Sequence, residues 1–180
     1  MARHYCESAG GDALHGPYHD HEYGFPIAED DALFARLVLE INQAGLSWAT
    51  ILKKKDNFIA AYDGFDIQKV AAYDEAERAR LLADAGIIRN RLKVNAAIVN
   101  ARRLLEIRAE EGSFKAWLDS HHPAELKAWV TLFRANFKFT GPEITREFLV
   151  SSGYLPGAHL PECPVYAKIA ALNPPWMQTQ

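Results

Sequence analysis

From Asp31 to Ser152 one pattern repeats: apolar residues at helical spacing, opened by a capping side chain and closed by glycine. No stretch of convincing length alternates apolar and polar residues with period two, so the chain is expected to be all-α. The first run sets the register. Leu33, Phe34, Leu37, Val38 and Ile41 fall at i, i+1, i+4, i+5 and i+8, which makes Asp31 to Ile41 an amphipathic helix. At about 100° per residue, Glu40 lies at the edge of that apolar arc, where an unpartnered carboxylate is costly. Gly45 can take the positive φ that ends a helix, and Ser47 can cap the next one, leaving Trp48 in its first turn. A glutamate and an indole facing one cleft suit a flat, polar or cationic ligand. The plainer alternative is a salt-bridged Glu40 and a Trp48 that fills the core.

Further runs follow almost without interruption. Ser47 opens a helix through Ile51, Leu52, Phe58, Ile59 and Tyr62, stopped by Gly64. Asp66 caps Ile67 to Ala72, Asp74 starts a helix to Ala85, and Asn90 to Glu111 is the longest, closed by Gly112. Ser113 caps Phe114 to Leu118, and Pro123 is expected to open Ala124 to Arg134. Asn136-Phe137-Lys138-Phe139-Thr140-Gly141-Pro142 reads as a tight turn, with Pro142 suited to the first position of a helix that runs to Ser152. A last short helix is expected over Val165 to Leu172. Residues 1–29, rich in Gly, His, Asp, Pro and Tyr, show no periodicity and are expected to be irregular.

The totals narrow the function classes. A chain of 180 residues suits a single domain with a real core. Its formal charge of −3 gives no global attraction to nucleic acid, so any DNA contact has to be local. No apolar run approaches the roughly 18 residues of a membrane span. The opening Met1-Ala2-Arg3-His4-Tyr5 carries no signal-like apolar core, and a cytoplasmic location is expected. In that reducing setting the two cysteines, Cys6 and Cys163, are expected to stay unpaired.

Those cysteines have histidine companions. Twelve residues separate Cys6 from His19, and His159-x3-Cys163 lies in a loop bounded by Gly157, Pro161 and Pro164. Two sulfurs and two imidazoles match a closed tetrahedral zinc site, which would pin both irregular ends together. Histidine is common here, however, and His4, His15, His21, His121 and His122 are also available.

Taken together, the collinear segments resemble the 3-methyladenine DNA glycosylase I family, a branch of the helix-hairpin-helix base-excision glycosylases. The segments are Tyr18-His19-Asp20-His21-Glu22-Tyr23-Gly24, Leu39-Glu40 through Gln43-Ala44-Gly45-Leu46-Ser47-Trp48, and Leu52-Lys53-Lys54-Lys55. Phe65-Asp66 through Lys69-Val70-Ala71, Ala85-Gly86-Ile87-Ile88-Arg89-Asn90-Arg91 with Lys93, Phe137-Lys138-Phe139-Thr140-Gly141 and His159-x3-Cys163 complete the series.

The resemblance implies one glycosylase domain over 1–180, with a helical core over about 30–153 whose flanks are joined by a structural Zn2+ on Cys6, His19, His159 and Cys163. It implies base-excision repair of alkylated double-stranded DNA by a monomer, with hydrolysis of the N-glycosidic bond and free 3-methyladenine as product. Glu40 would accept hydrogen bonds from the base, Tyr18 and Trp48 would sandwich the flipped ring, and Gln43 would hold Glu40 or the base. Backbone N–H groups in Phe137, Lys138, Phe139, Thr140 and Gly141 would hold a DNA phosphate. Asp20 would orient the metal-ligand loop. The wider superfamily carries an aspartate about twenty residues beyond the hairpin, but here that count reaches Pro161 beside Glu162.

Several positions depart from the family pattern. Tyr5 and Ser8 replace an arginine and a tryptophan around Cys6, Tyr23 replaces a tryptophan, and Ile41 replaces a glycine after Glu40. The usual basic run before the hairpin is Val130-Thr131-Leu132-Phe133-Arg134-Ala135-Asn136, and Arg146 and Val150 replace Tyr and Gln. Thinner DNA-facing charge and a narrowed pocket are the expected consequences. They keep a second function open: a relative that binds a modified base, nucleoside or lesion without excising it.

Overall fold

The computed structural model describes residues 4–178, so the reading of Met1 to Arg3 lies outside the described residues. Eleven α-helices occur among them: α1 (Tyr5–Ala9), α2 (Gly16–His21), α3 (Asp30–Gln43), α4 (Trp48–Ala61), α5 (Ile67–Ala71), α6 (Glu75–Ala83), α7 (Arg91–Glu111), α8 (Phe114–His121), α9 (Leu126–Asn136), α10 (Pro142–Ser151) and α11 (Pro164–Ala171). No strand occurs among the described residues, and no helix is long and apolar enough to cross a membrane.

Local capping sets most helix starts. Ser47 Oγ accepts from the Thr50 N–H, and the side chains of Asp66, Asp74, Asn90 and Ser113 do the same for Lys69, Glu77, Lys93 and Ala116. Gly45, Gly64, Gly112 and Gly153 all take positive φ at the expected breaks.

Helix α3 is the axis of the core. Leu33, Phe34, Leu37, Val38 and Ile41 are each at most 1% exposed, and α4, α7, α8 and α10 pack around the helix. Its flanks are therefore inside as well, which buries Arg36, Glu40 and Asn42. Polar side chains tie down both ends of α3. Asp30 accepts from Arg108 Nε (2.9 Å) and from the N–H groups of Phe114 and Lys115. At the other end, Lys93 Nζ donates to the carbonyls of Asn42 (2.8 Å) and Ala44 (2.7 Å), a cation at the negative end of the helix. This lysine fixes the α3–α4 turn, and with it the relative placing of Glu40 and Trp48.

Two expectations need correction. Residues 1–29 are not irregular throughout, since they contain α1 and α2. Both helices are too short to show apolar periodicity. Local groups start them: His4 caps α1, Asp12 Oδ1 accepts from the N–H groups of Leu14 and His15, and Pro17 sits in the first turn of α2. Pro123 does not open a helix either. It lies in the linker, and α9 begins at Leu126 behind Glu125.

Helices α9 and α10 form a hairpin whose turn is Phe137 to Gly141. Asn100, buried on α7, clamps that turn: its Oδ1 accepts from Lys138 N (2.7 Å) and its Nδ2 donates to Lys138 O (3.1 Å). Asn100→Leu removes both bonds and leaves two polar groups without partners. It is expected to cost about 2–4 kcal/mol of stability, measured by denaturant titration.

Candidate functional site

Three elements and the N-terminal segment converge on a cavity of about 210 Å³, lined by Tyr5, Tyr18, Tyr23, Glu40, Gln43, Trp48 and Glu147. That is below the volume of a drug-sized site and suits a single heterocycle. Of these seven, Tyr18, Glu40, Gln43 and Trp48 were expected from sequence. Tyr5, Tyr23 and Glu147 were not, because nothing local links them to the cavity.

Glu40 lies at the base of the site. It is 5% exposed, and burial pushes its carboxyl up to about 8. The Arg36 guanidinium and, less strongly, the Ser151 hydroxyl pull the other way, and the charge of Glu147 adds to the rise. Arg36 does not lock the acid. Its Nη1 donates to Ser151 O (2.9 Å), its Nη2 lies 3.7 Å from Glu22, and its guanidinium covers one face of the Tyr18 ring at 5.1 Å. Among the described residues Glu40 makes no ion pair within 4.0 Å.

The aromatic walls depart from the expected sandwich. The Tyr18 and Trp48 rings are 5.0 Å apart at centroids and inclined by 53°. A third ring between two parallel faces needs about 7 Å, twice the usual stacking distance. The rings instead form one tilted wall, continued by Tyr23 at 5.6 Å from Tyr18 and Tyr5 at 5.3 Å from Tyr23. A flat ligand can therefore lie along this wall but not between the two rings as they stand. The Tyr18 hydroxyl and Trp48 Nε1 are both buried without a partner, so each is an unused donor at the cavity. Burial also pushes the Tyr18 phenol well above its usual range, so it stays protonated.

Two finer expectations change. Gln43 does not hold Glu40: its Nε2 donates to Leu46 O (2.8 Å), where it braces the α3–α4 turn. Ile41 does not narrow the cavity. At 1% exposed it points into the hydrophobic core, away from the lining. The turn that Gln43 braces also carries Leu46, a large apolar side chain 37% exposed.

At the hairpin, Phe137 is 3% exposed and joins the core, while Lys138 and Phe139 face outward. Thr140 Oγ1 donates to Phe137 O (3.1 Å), and Phe139 holds a left-handed φ of 61°. The N–H groups of Phe139, Thr140 and Gly141 have no acceptor among the described residues, and Pro142 starts α10 directly behind them. Donors left free at the start of a helix can hold an anion without net charge.

Cys6, His19, His159 and Cys163 come together and can hold a metal ion, with their four ligand atoms all within 4.8 Å of one another. Both cysteines are free. Cys6 Sγ lies 3.4 Å and Cys163 Sγ 3.6 Å from His159 Nδ1, and Cys163 Sγ lies 3.7 Å from His19 Nε2. The other nitrogen of each ring is engaged, His19 Nδ1 with Asp20 (2.6 Å) and His159 Nε2 with Tyr23 O (2.7 Å). Such outer bonds fix the tautomer and aim the ligating nitrogen. Glu162 is exposed in the adjoining loop and does not line the cavity.

The chain is similar to known proteins in sequence and in fold. The methyladenine glycosylase family model matches residues 8–131. The chain is 36% identical to DNA-3-methyladenine glycosylase 1 of Escherichia coli (strain K12), over 89% of this chain and 96% of that one. It is 30% identical to DNA-3-methyladenine glycosylase of Haemophilus influenzae, over 88% and 96%. The fold superposes on a solved 3-methyladenine DNA glycosylase I from Staphylococcus aureus with a TM-score of 0.79, at 32% identity over 89% of this chain and 95% of that one. A tyrosine-to-phenylalanine variant of a 3-methyladenine DNA glycosylase I in complex with 3-methyladenine matches equally well, with a TM-score of 0.79 at 32% identity over 89% and 96%. The chain belongs to the methyladenine glycosylase family.

Proposed function

We propose that this protein is a monofunctional DNA glycosylase that releases 3-methyladenine from alkylated double-stranded DNA, acting as a cytoplasmic monomer in base-excision repair. The observation that carries this reading is the buried, unlocked carboxyl of Glu40 in a base-sized aromatic cavity, in a chain of this family.

The chemistry follows from the lesion. Methylation at N3 gives the base a positive charge and weakens its bond to the sugar, so discrimination matters more than a strong catalytic acid. Before it can be cut, the base must leave the stack. The free N–H groups of Phe139 to Gly141 hold the strand by a phosphate, and Leu46 enters the stack to fill the gap. Inside, Glu40 supplies negative charge and the tyrosine–tryptophan wall supplies π-faces, both favouring the cation over neutral adenine. Trp48 Nε1 and the Tyr18 hydroxyl offer hydrogen bonds to the ring.

Zinc is the metal that the Cys6, His19, His159 and Cys163 set fits best. Tetrahedral zinc bonds of about 2.3 Å to sulfur and about 2.0 Å to nitrogen put neighbouring ligand atoms roughly 3.5–3.8 Å apart. Three sulfur–nitrogen separations, 3.4, 3.6 and 3.7 Å, lie close to that spacing, and all four ligand atoms lie within 4.8 Å of one another. All four positions are protein ligands, so the ion is structural.

The test is release of free base from methylated duplex DNA by the zinc-loaded protein. If it releases no modified base while a control glycosylase does, the reading is wrong. Leu46→Ala is expected to lower excision from duplex about tenfold but leave binding of free 3-methyladenine unchanged, by analogy with other stack-entering side chains. Comparing duplex excision with free-base titration checks this.

A further inference from the structure

The bond broken in the proposed reaction joins a base inside the cavity to a sugar outside it. Two cavities reproduce that division. Beside the base cavity, a groove of about 390 Å³ runs between the α3–α4 turn and the start of α10, lined by Ala44, Gly45, Gly141, Pro142, Glu143 and Ile144. It begins at the hairpin, beside the free N–H groups of Phe139 to Gly141, so a strand anchored there by a phosphate would lay its sugar in this groove. Only Gln43 and Glu147 line both spaces. Gln43 spends its amide nitrogen on Leu46 O. Glu147, on α10, is partly exposed, pairs with Arg146, and is close enough for its charge to act on Glu40.

We infer that Glu147 is the general base of the hydrolysis, receiving the proton of the water that attacks the sugar at C1′. The inference rests on the glycosylase reading above. The water oxygen forms a bond to C1′ as the bond from C1′ to N9 breaks. The electron pair of that bond goes to N9, so the cationic base leaves as neutral 3-methyladenine. One water proton passes to the Glu147 carboxylate and from there to solvent. As the bond lengthens, positive charge grows on the sugar, and a carboxylate beside it lowers the energy of that state. Glu40 is too deep to serve this role, since it faces the base, and Glu143 lines only the groove.

The same carboxylate faces a polyanion, which repels it. Removing its charge should therefore separate binding from chemistry in opposite directions, as a structural role would not. The experiment is single-turnover release of 3-methyladenine from methylated duplex at saturating full-length zinc-loaded protein, with DNA affinity measured separately. Glu147→Gln is expected to lower the saturated rate roughly tenfold to a hundredfold with DNA affinity unchanged or tighter. Glu147→Asp recovers part of that rate. Arg146→Ala, which removes the ion pair but keeps the carboxylate, stays within about threefold of the parent. A Glu147→Gln protein at the parental rate overturns the inference. So does an Arg146→Ala protein that loses as much as Glu147→Gln, because the pair would then be structural. If the parent releases no base at all, the glycosylase reading itself fails, whereas an active parent with an unaffected variant refutes only the role of Glu147.

Discussion

Glu40→Gln is expected to cut 3-methyladenine release by roughly a hundredfold while making the protein more stable at alkaline pH. The functional loss follows from charge: glutamine keeps the shape and a carbonyl acceptor but cannot neutralise a cationic base. The gain in stability follows from burial. The Glu40 carboxyl is pushed from its usual 4.5 up to about 8, first by desolvation, so the folded state holds its proton more tightly than the unfolded state does. Stability from that proton is fully present below pH 4.5 and is lost as pH rises through about 8. At about 1.4 kcal/mol per unit the loss is on the order of 5 kcal/mol. Glutamine does not titrate, so its melting temperature should match the parent near pH 5 and exceed it near pH 9. Thermal melts at those two values decide the matter; equal melting at pH 9 would mean that the buried acid carries no penalty.

Activity should have the opposite slope. A cationic base favours the ionised acid, so entry of the lesion must expel the Glu40 proton at neutral pH. The phenols of Tyr18 and Tyr23 are pushed up by burial and stay neutral through this range. Excision efficiency of the parent should therefore rise with pH up to about 8, by as much as tenfold per unit below that, and the Gln variant should lack this dependence.

What the sequence disclosed and what it hid divide along local and non-local lines. Ser47, Asp66, Asp74, Asn90 and Ser113 were legible as helix starts because a cap depends on three following residues only. The all-helical fold followed from the spacing of apolar residues between those caps. Helices α1 and α2 were hidden because neither buries a periodic face. The site was legible where it coincides with a collinear motif, as at Glu40 and Trp48 on either side of the Gly45 turn. Tyr5, Tyr23 and Glu147 reach the same cavity from an N-terminal segment and from α10, and no spacing in the chain announces that meeting. Ring separation is a tertiary quantity as well, which is why the tilted contact of Tyr18 with Trp48 replaced the expected sandwich.

Removing the proposed zinc is expected to damage the base cavity as much as the fold. Three of the four ligands adjoin a cavity wall. Tyr5 precedes Cys6, Tyr18 precedes His19, and His159 holds the backbone carbonyl of Tyr23 through its non-ligating nitrogen at 2.7 Å. Zinc on these four residues would therefore restrain three of the four aromatic residues around Glu40, and would also bridge α1 and α2 to the segment before α11. Structural zinc adds its binding energy to folding, and losing even several kcal/mol of it lowers the melting temperature of a chain this size by roughly 10–20 °C. Cys163→Ser, which strips one ligand far from the cavity, should reproduce that drop and weaken free 3-methyladenine binding by about tenfold or more. Calorimetric titration of the free base before and after chelation, with zinc returned as the control, tests the coupling. A chelated protein that melts lower yet binds the base as tightly as before would mean that the metal holds only the termini.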